Sequence, residues 1–422
     1  MEKFIQIFKT PDLRKKIFIV AGLLVVFRIF AAIPIPGVDP LRLSAFLQSS
    51  QLLGFFNIFS GGALSNLSIV MLGVGPYITA TIIMQLLTMI FPKLKEIYYE
   101  QGEIGRTKFN RLSRYLTLPL AGLQAYGFIN LLISQQVLSP LSAFELFHNI
   151  VLISTGSVFL VWLGELITEQ KIGNGVSLLI FSGIVSSLPK TIQGIFLGFD
   201  PSLVPTYIAF LVLSIVVIGG VVFISEGERK IPVTYSKRIK GNRVYGGVSS
   251  YLPLKVNQAG VIPIIFAISL LLFPQFIAQI ATVFSPDLSL RLNTLVSKVL
   301  SNQILYSAIY FSLVVIFTYF YTAVTFDPQE ISKNLQRSGG FIPGIRPGEP
   351  SGDFLGKVIN RITLFGALFL GLIAVLPNIT QIVTGIQLLT LGGTALLIVV
   401  SVALEIMKQI DSQLVMHEYE GF

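Results

Sequence analysis

The chain has 422 residues, of which 53% are hydrophobic and 12% charged, and its net charge is +9. Its strongly positive mean hydropathy excludes an ordinary soluble protein of this size. Cysteine is absent, which excludes disulfides and thiolate-bound metals, and with only His148 and His417 a histidine metal site is not expected. The sequence therefore predicts an integral membrane protein that needs no metal or other cofactor.

Ten stretches of the sequence are apolar and long enough to cross a bilayer as helices, which takes about 20 residues each. In chain order they are 17–33, 67–91, 115–133, 150–168, 175–195, 203–225, 259–284, 303–326, 359–376 and 382–407. The first follows a charged amphipathic stretch and ends in IPIPG without a small-residue cleavage site, so it is interpreted as a retained helix. The prediction is an all-α polytopic membrane protein with about ten transmembrane helices.

The basic residues predict the orientation, because cytoplasmic loops carry an excess of Lys and Arg. With the N-terminus inside, the inner segments hold 25 of the 30 Lys and Arg residues. These segments are 1–16, 92–114, 169–174, 226–258, 327–361 and 408–422. Both termini are therefore expected to be cytoplasmic.

Two of the inner loops, 226–258 and 327–358, are longer than topology requires and combine basic, aromatic, Gly and Pro residues. Such basic loops can serve only topology and attraction to anionic lipid. Their composition also favours a shaped docking surface for a cytosolic partner, and both interpretations stay open at this point.

The centres of the spans hold almost no ionisable side chains, although transporters usually carry them there to bind coupling ions. Glu165 and Glu405 lie at the inner ends of spans four and ten, where a structural role is favoured. Arg28 lies toward the outer half of span one and fits either packing within the bundle or tuning of a pathway. A Gly-Tyr-Gly run typical of an ion filter is absent.

Aliphatic side chains flanked by small residues recur in GVGPYITA, SLLIFSGI, AGVIPIIF and GGTALLIV. Each run alone fits ordinary helix packing. Together, without a polar filter, they predict a path lined by aliphatic groups, which gates by dewetting. A lateral seam in such a path would let an apolar substrate segment enter lipid, with a gain of roughly 0.3 to 0.6 kcal/mol for each Leu, Ile, Phe or Val.

Seven longer runs carry a family resemblance. In chain order they are IPIPG (33–37), FNIFSGGALS (56–65), GVGPYITATIIMQLL (73–87), WLGELITEQKIGNGVSLLIF (162–181), YLPLKVNQAGVIPIIFA (251–267), FYTAVTFDPQEISKNLQRSGGFIPGIRPGE (320–349) and LGGTALLIVVSV (391–402). From about residue 13 to 418 the chain resembles the SecY family, the channel subunits of the bacterial Sec protein translocon. The resemblance implies two inverted five-helix halves, 1–200 and 201–422, hinged on one side and open to lipid on the other.

The resemblance also implies a plug, a half-helix before span two that folds back into the outer funnel and blocks it at rest. Its residues are Phe55, Phe56, Asn57, Ile58, Phe59, Ser60, Gly61, Gly62, Ala63, Leu64, Ser65 and Asn66. Gly61–Gly62 would supply the flexible corner, and backbone that does not span is tolerated at membrane depth when protein or a water-filled cavity surrounds it. The residues alone fit a re-entrant or interfacial helix equally well.

Matching the family's motifs position by position gives a pore ring, a lateral gate and two docking residues. The ring consists of Val74, Ile78, Ile180, Ile265 and Ile398, where Val74 is one methylene smaller than the usual isoleucine. The gate would lie between spans two and three on one side and seven and eight on the other, with polar positions Gln85 and Asn257. Gln85 by itself also fits a simple interhelical contact. Arg243 and Arg346 match docking positions, although relatives often carry two adjacent basic residues where this chain has Asn242–Arg243, and Arg346 also fits solvated surface.

The implied partners are the small membrane subunits SecE and SecG, the SecA motor ATPase and the ribosome, whose rRNA phosphates attract clustered Lys and Arg. Signal peptides and nascent polypeptides would be the clients, and membrane lipids would face the gate. The expected function is passive protein conduction in the bacterial cytoplasmic membrane, since the chain has neither a P-loop pattern nor an HExxH or Ser-His-Asp arrangement.

Two alternatives remain open. A secondary transporter for a small solute would use broken helices at Gly75–Pro76 and Val261–Pro263. A membrane enzyme acting on lipid would need clustered carboxylates. The four glutamates near the inner interface share no catalytic spacing, and they are Glu165, Glu226, Glu228 and Glu405.

Overall fold

The computed structural model describes residues 10–36, 57, 60–99, 101–197, 201–235, 238–240, 243–245, 249–284, 286–384 and 392–420. Most of these residues are helical. The helices are α1 Pro11–Ala32, α2 Gly75–Ile90, α3 Pro92–Tyr99, α4 Gly102–Ser134, α5 Ala143–Glu169, α6 Gly175–Leu197, α7 Val204–Glu226, α8 Ile262–Phe284, α9 Pro286–Ser301, α10 Gln303–Thr325, α11 Pro328–Arg337, α12 Glu349–Thr384 and α13 Gly392–Glu420. Two 3-10 turns cover Leu64–Asn66 and Pro201–Leu203.

Each of the ten predicted spans overlaps one of these helices, namely α1, α2, α4, α5, α6, α7, α8, α10, α12 and α13. By length and hydropathy alone, five helical segments of the described chain could cross a membrane, and a sixth if α2 and α3 count as one bent span. Several helices run well past the predicted apolar stretch, because helical hydrogen bonding continues into the charged turns. The 33 residues of α4, for example, begin at Gly102.

The second span departs from its predicted bounds, since α2 begins at Gly75 and not at residue 67. The preceding residues form turns in which Leu67 and Gly73 have φ angles of 39° and 58°. Left-handed backbone cannot continue a right-handed helix, and Pro76 is well suited to a first helical turn. At the other end the chain bends by 115° into α3.

The loops between the helices hold five strands that the sequence analysis did not predict. They are β1 Glu228–Tyr235, β2 Arg238–Lys240, β3 Arg243–Tyr245, β4 Ser249–Lys255 and β5 Gly340–Phe341. β2 and β3 form an antiparallel pair, and the other three form an antiparallel sheet in the order β4-β1-β5. Because β1 and β5 come from different loops, this sheet joins the loops 226–258 and 327–358 into one unit.

The sheet has a hydrophobic core of its own. Ile231 on β1 and Leu254 on β4 pack with Ile342 and with Leu355 in the first turns of α12. All four side chains are at most 3% exposed. Burial on this scale fixes the two loops in a defined shape.

The helices of the first and second halves of the sequence meet along two seams. On one, α8 packs against α2 and α4; on the other, α13 packs against α6. The main hydrophobic cluster of the described residues lies between these seams and takes side chains from both halves.

Candidate functional site

The five residues of the predicted pore ring are all buried in the main hydrophobic cluster. Their exposed fractions are 2% for Val74, 7% for Ile78, 1% for Ile180, 6% for Ile265 and 1% for Ile398. They come from α2 and the residue before it, α6, α8 and α13, and so from both seams. The arrangement places aliphatic side chains of both halves in one apolar centre.

Local helix starts position three of these residues. The amide of Ile78 donates to the carbonyl of Val74 at 3.1 Å, so the two side chains lie one helical turn apart on the same face. The amide of Ile265 donates to the carbonyl of Val261 at 3.3 Å, at the start of α8. Both helices thus begin next to residues of the predicted ring.

Of the predicted plug, the structure describes Asn57 and residues 60–66, while Phe55, Phe56, Ile58 and Phe59 lie outside the described residues. Asn57 is helical, whereas 60–66 form turns and the 3-10 segment Leu64–Asn66. The expected glycine corner is present, since Gly61 and Gly62 have φ angles of 68° and 79°. The corner brings the chain back on itself, so that the Gly62 amide donates to the Asn57 carbonyl at 2.7 Å.

This plug segment is packed inward. Ala63 and Leu64 are fully buried and belong to the main cluster, while Ser65 is exposed. The segment is tied to the end of α1 by the Asn66 side chain, which donates to the Ala31 carbonyl at 3.2 Å. An isolated bridge between Pro34 and Ser68 continues this contact.

Arg28, whose role the sequence left open, packs inside the bundle and donates to backbone carbonyls. Its guanidinium reaches Gly61 in the plug segment at 2.6 Å and Ser182 and Gly183 in α6 at 2.8 and 3.1 Å. No local pattern in the sequence signals these contacts, apart from the isolated charge itself.

Of the predicted gate positions, Gln85 is buried and Asn257 is half-buried, and no hydrogen bond joins the two in the described chain. Gln85 is 8% exposed, and its side-chain oxygen accepts no hydrogen bond from the described residues. The Asn257 amide donates to the Gly260 carbonyl at 3.3 Å, and its oxygen is likewise buried without a donor in the described chain. A buried polar oxygen of this kind costs free energy unless water or another group bonds it.

The carboxylates near the inner interface are scattered in space as they are in sequence. Glu165 pairs with Arg114 at 2.8 Å, with both side chains partly exposed, and Glu226 pairs with Lys408 at the same distance. These pairs join α5 to α4 and α7 to α13. The geometry supports the structural role predicted for Glu165 and brings no cluster of these carboxylates together in the described residues.

The two predicted docking residues lie on the unit formed by the paired loops. Arg243 begins β3, where it pairs with Lys240. Arg346 is exposed on the turn after β5, and its carbonyl accepts a hydrogen bond of 2.8 Å from the buried Ser351 hydroxyl. That bond fixes the backbone of the turn that presents the Arg346 side chain.

The fold and its aliphatic centre define a polytopic α-helical membrane protein. The SecY family model matches residues 68–407. The protein translocase subunit SecY of Corynebacterium glutamicum is 46% identical, over 100% of this chain and 99% of the relative. That of Streptomyces coelicolor is 41% identical over 99% of each chain. The chain belongs to the SecY family.

Solved structures of protein-conducting channels share the fold. One described as a protein conducting channel covers 93% of this chain and 90% of its own at 22% identity and a TM-score of 0.64. A second is a SecY structure whose description says that its plug domain stabilises the closed state. It has 22% identity and a TM-score of 0.63, and the match covers 94% of this chain and 90% of its own. Sec61 in a canine ribosome-channel complex has 21% identity, a TM-score of 0.61 and coverage of 93% and 90%.

Proposed function

We propose that this chain is a passive protein-conducting channel of the bacterial cytoplasmic membrane. It passes unfolded secretory polypeptides across the membrane and releases apolar segments sideways into lipid. Membership in the SecY family supports this proposal, together with the relatives' description as translocase subunits. The observation that carries it is the single buried cluster to which α2, α6, α8 and α13 each contribute an aliphatic ring residue.

An aliphatic constriction suits a polypeptide, because it forms contacts with any side chain and binds none of them strongly. The ring surrounds the translocating polypeptide during transport and closes on itself at rest. Its residues are Val74, Ile78, Ile180, Ile265 and Ile398. The contact of α8 with α2 and α4 acts as the lateral gate, with Gln85 and Asn257 at its weak points. Opposite it, the seam between α6 and α13 acts as the hinge of the two halves 1–200 and 201–422.

The plug, residues 55–66, closes the outer side of the ring at rest. The burial of Ala63 and Leu64 against the main cluster supports this role, as does the solved structure whose plug domain is described as maintaining a membrane seal. The chain itself performs no catalysis, and the energy for transport comes from its partners.

Those partners are SecE, SecG, the SecA motor and the ribosome, with signal peptides and nascent chains as clients. The docking surface is the unit formed by the loops 226–258 and 327–358, which the sheet of β1, β4 and β5 joins, with Arg243 and Arg346 as contact residues. Related solved structures described as ribosome-bound Sec61 and Ssh1 support the ribosome as a partner. The charge asymmetry supports a cytoplasmic position for this unit and for both termini.

The absence of native cysteine makes a direct test possible. A cysteine at Ile265 and another midway along a stalled secretory polypeptide should form a disulfide on oxidation in membranes. The matched control is a cysteine at Ile215 on α7, which is 61% exposed on the surface of the described bundle. Absence of a disulfide at Ile265, Ile78 and Ile180 with an engaged client would overturn the ring and favour the small-solute transporter.

A further inference from the structure

The guanidinium of Arg28 links three parts of the bundle. It extends from α1 and donates to the Gly61 carbonyl of the plug segment and to the Ser182 and Gly183 carbonyls of α6. Its Nε is buried without a partner in the described chain, and none of the ion pairs of the described residues includes it. Among the described residues the half-buried charge is therefore met by three backbone carbonyls and by the Phe27 ring, whose centroid lies 5.3 Å from the guanidinium carbon.

The backbone around Arg28 is built for close approach. A Cβ atom added to Gly183 would lie 2.0 Å from the Cα of Gly61, which is far inside van der Waals contact. A Cβ on Gly61 would lie 2.6 Å from the Phe27 ring. Glycine at both positions therefore lets the plug segment touch α6 directly, where the side chains of Phe27 and Arg28 enclose the contact.

The three hydrogen bonds from Arg28 end on two different segments of the chain. Two end on α6, a regular helix that packs against α1 and α5. The third ends on the non-helical plug segment, which is otherwise fixed to α1 through Asn66 and the residues that follow it. Breaking the bond to Gly61 releases the plug corner while Arg28 keeps its two partners on α6, so the bond can open and close repeatedly.

We propose that Arg28 is a latch that sets the resting position of the plug, by holding the Gly61 carbonyl against the glycine face of α6. The proposal rests on the channel function proposed above and assigns a positioning role to a residue outside the ring and the gate. Loss of a hydrogen bond from a charged donor shifts such an equilibrium by roughly tenfold or more.

The test measures plug displacement through a single cysteine introduced by Ala63→Cys, at a position that is fully buried at rest. The full-length complex, purified with its native membrane partners in lipid nanodiscs, is treated with a bulky polar maleimide, and labelling of this chain is followed in time. In the parent, the thiol introduced at position 63 should react slowly. Arg28→Gln should accelerate the reaction about tenfold, because the Gly61 carbonyl loses its charged donor and the shorter amide cannot span the same distance.

Two further variants separate the latch from a general loss of structure. Arg28→Lys keeps the charge, but one ammonium group cannot reproduce the planar fork that reaches two segments, so its labelling should be intermediate. Gly183→Ala leaves Arg28 intact and forces the plug corner away from α6, so its labelling should also be fast. Ile29→Ala, at a neighbouring position that is 56% exposed, is the matched control and should label like the parent.

A cysteine at the exposed Ser65 should react at one rate in every background, which shows that the reagent reaches the segment equally. Slow labelling at position 63 in the folded Arg28→Gln and Gly183→Ala proteins would overturn the latch. If the Arg28→Gln protein does not accumulate, labelling of Arg28→Lys at the parent rate would overturn the latch, and intermediate labelling would support it. Translocation of a client by the same parent complex is measured separately. If the client is transported but Arg28→Gln does not change labelling at position 63, only the latch is rejected. If Arg28→Gln changes the labelling but no client is transported, only the channel function is rejected.

Discussion

Lys16 and Gln413, 397 positions apart in the chain, are joined by a hydrogen bond of 3.2 Å between the Lys16 ammonium and the Gln413 side-chain oxygen. The amide nitrogen of Gln413 donates to the Lys171 carbonyl, in the turn between α5 and α6. Gln413 is 6% exposed, so both bonds are shielded from solvent on the glutamine side. This one side chain ties α13 to α1 and to the turn before α6.

Replacing Gln413 by alanine should therefore loosen the two halves of the chain at their inner ends. We expect a loss of about 1–3 kcal/mol in the free energy of unfolding, because the bonds of Gln413 to the Lys16 ammonium and to the Lys171 carbonyl are both lost. Denaturant unfolding in mild detergent measures this loss. Ser412→Ala is the control, since the exposed Ser412 hydroxyl bonds only a carbonyl of its own helix. Equal free energies of unfolding for both variants would show that the Gln413 hydrogen bonds do not stabilise the fold.

Shortening a ring side chain should open a leak. Ile180 is 1% exposed in the main cluster, and Ile180→Ala removes three carbons from the apolar centre. We expect a resting ion conductance several-fold above that of the parent in planar bilayers, because a wider apolar neck wets more readily. Val185→Ala on the same helix, at a position that is 39% exposed, should leave the conductance unchanged. A leak of equal size from both variants would point to helix packing and not to a ring.

Replacement by leucine should change the stability of the protein in opposite directions at Gln85 and at Gln124. The Gln85 oxygen is buried without a donor in the described chain, so Gln85→Leu should stabilise the closed seam by about 1 kcal/mol. The Gln124 amide donates to the Thr79 hydroxyl at 3.4 Å, and Gln124→Leu should cost about 0.6 kcal/mol. Thermal unfolding in detergent measures both. The Gln85→Leu channel should also insert a marginally apolar client segment into the membrane more slowly than the parent channel does. Faster insertion would contradict the gate assignment.

Arg346 should contribute a phosphate contact to ribosome binding. We expect Arg346→Gln to weaken binding at every salt concentration and to lower the slope of log affinity against log salt by about one. A salt titration with purified ribosomes measures both quantities. Arg291→Gln removes an equally exposed arginine from the face predicted to lie outside, and serves as the control. An unchanged slope in Arg346→Gln would reduce this residue to solvated surface.

The sequence predicted those parts of the fold that depend on local composition. Hydropathy located ten helices because each span must be apolar over its whole length. It misplaced the start of α2, since Leu67 to Val74 are as apolar as a helix and only their backbone angles differ. The plug and ring assignments come from the family resemblance and stay predictions, since composition alone could not distinguish these residues from ordinary packing.

Features that depend on contacts between distant segments were not predictable. In β1 only Ile231 and Val233 alternate inward, and Pro232 between them weakens any strand signal. The Arg28 contacts join residues 33 to 155 positions apart, and although Gly61 lies in the predicted glycine corner, nothing in its local sequence indicates a contact with Arg28. A charge in an apolar span indicates that some partner exists, but its identity depends on how the helices are packed.

The sheet shared by the two inner loops has a mechanical consequence. The amide of Val256, just after β4, donates to the carbonyl of Gly227, just before β1, which closes the base of the hairpin at 2.8 Å. That base presses on α12, where a Cβ at Gly366 would lie 2.7 Å from the Val256 carbonyl oxygen. The sheet is therefore connected to α7 through Gly227, to α8 through the residues after Val256 and to α12 through the contact at Gly366. A displacement of either loop would reach the same three helices.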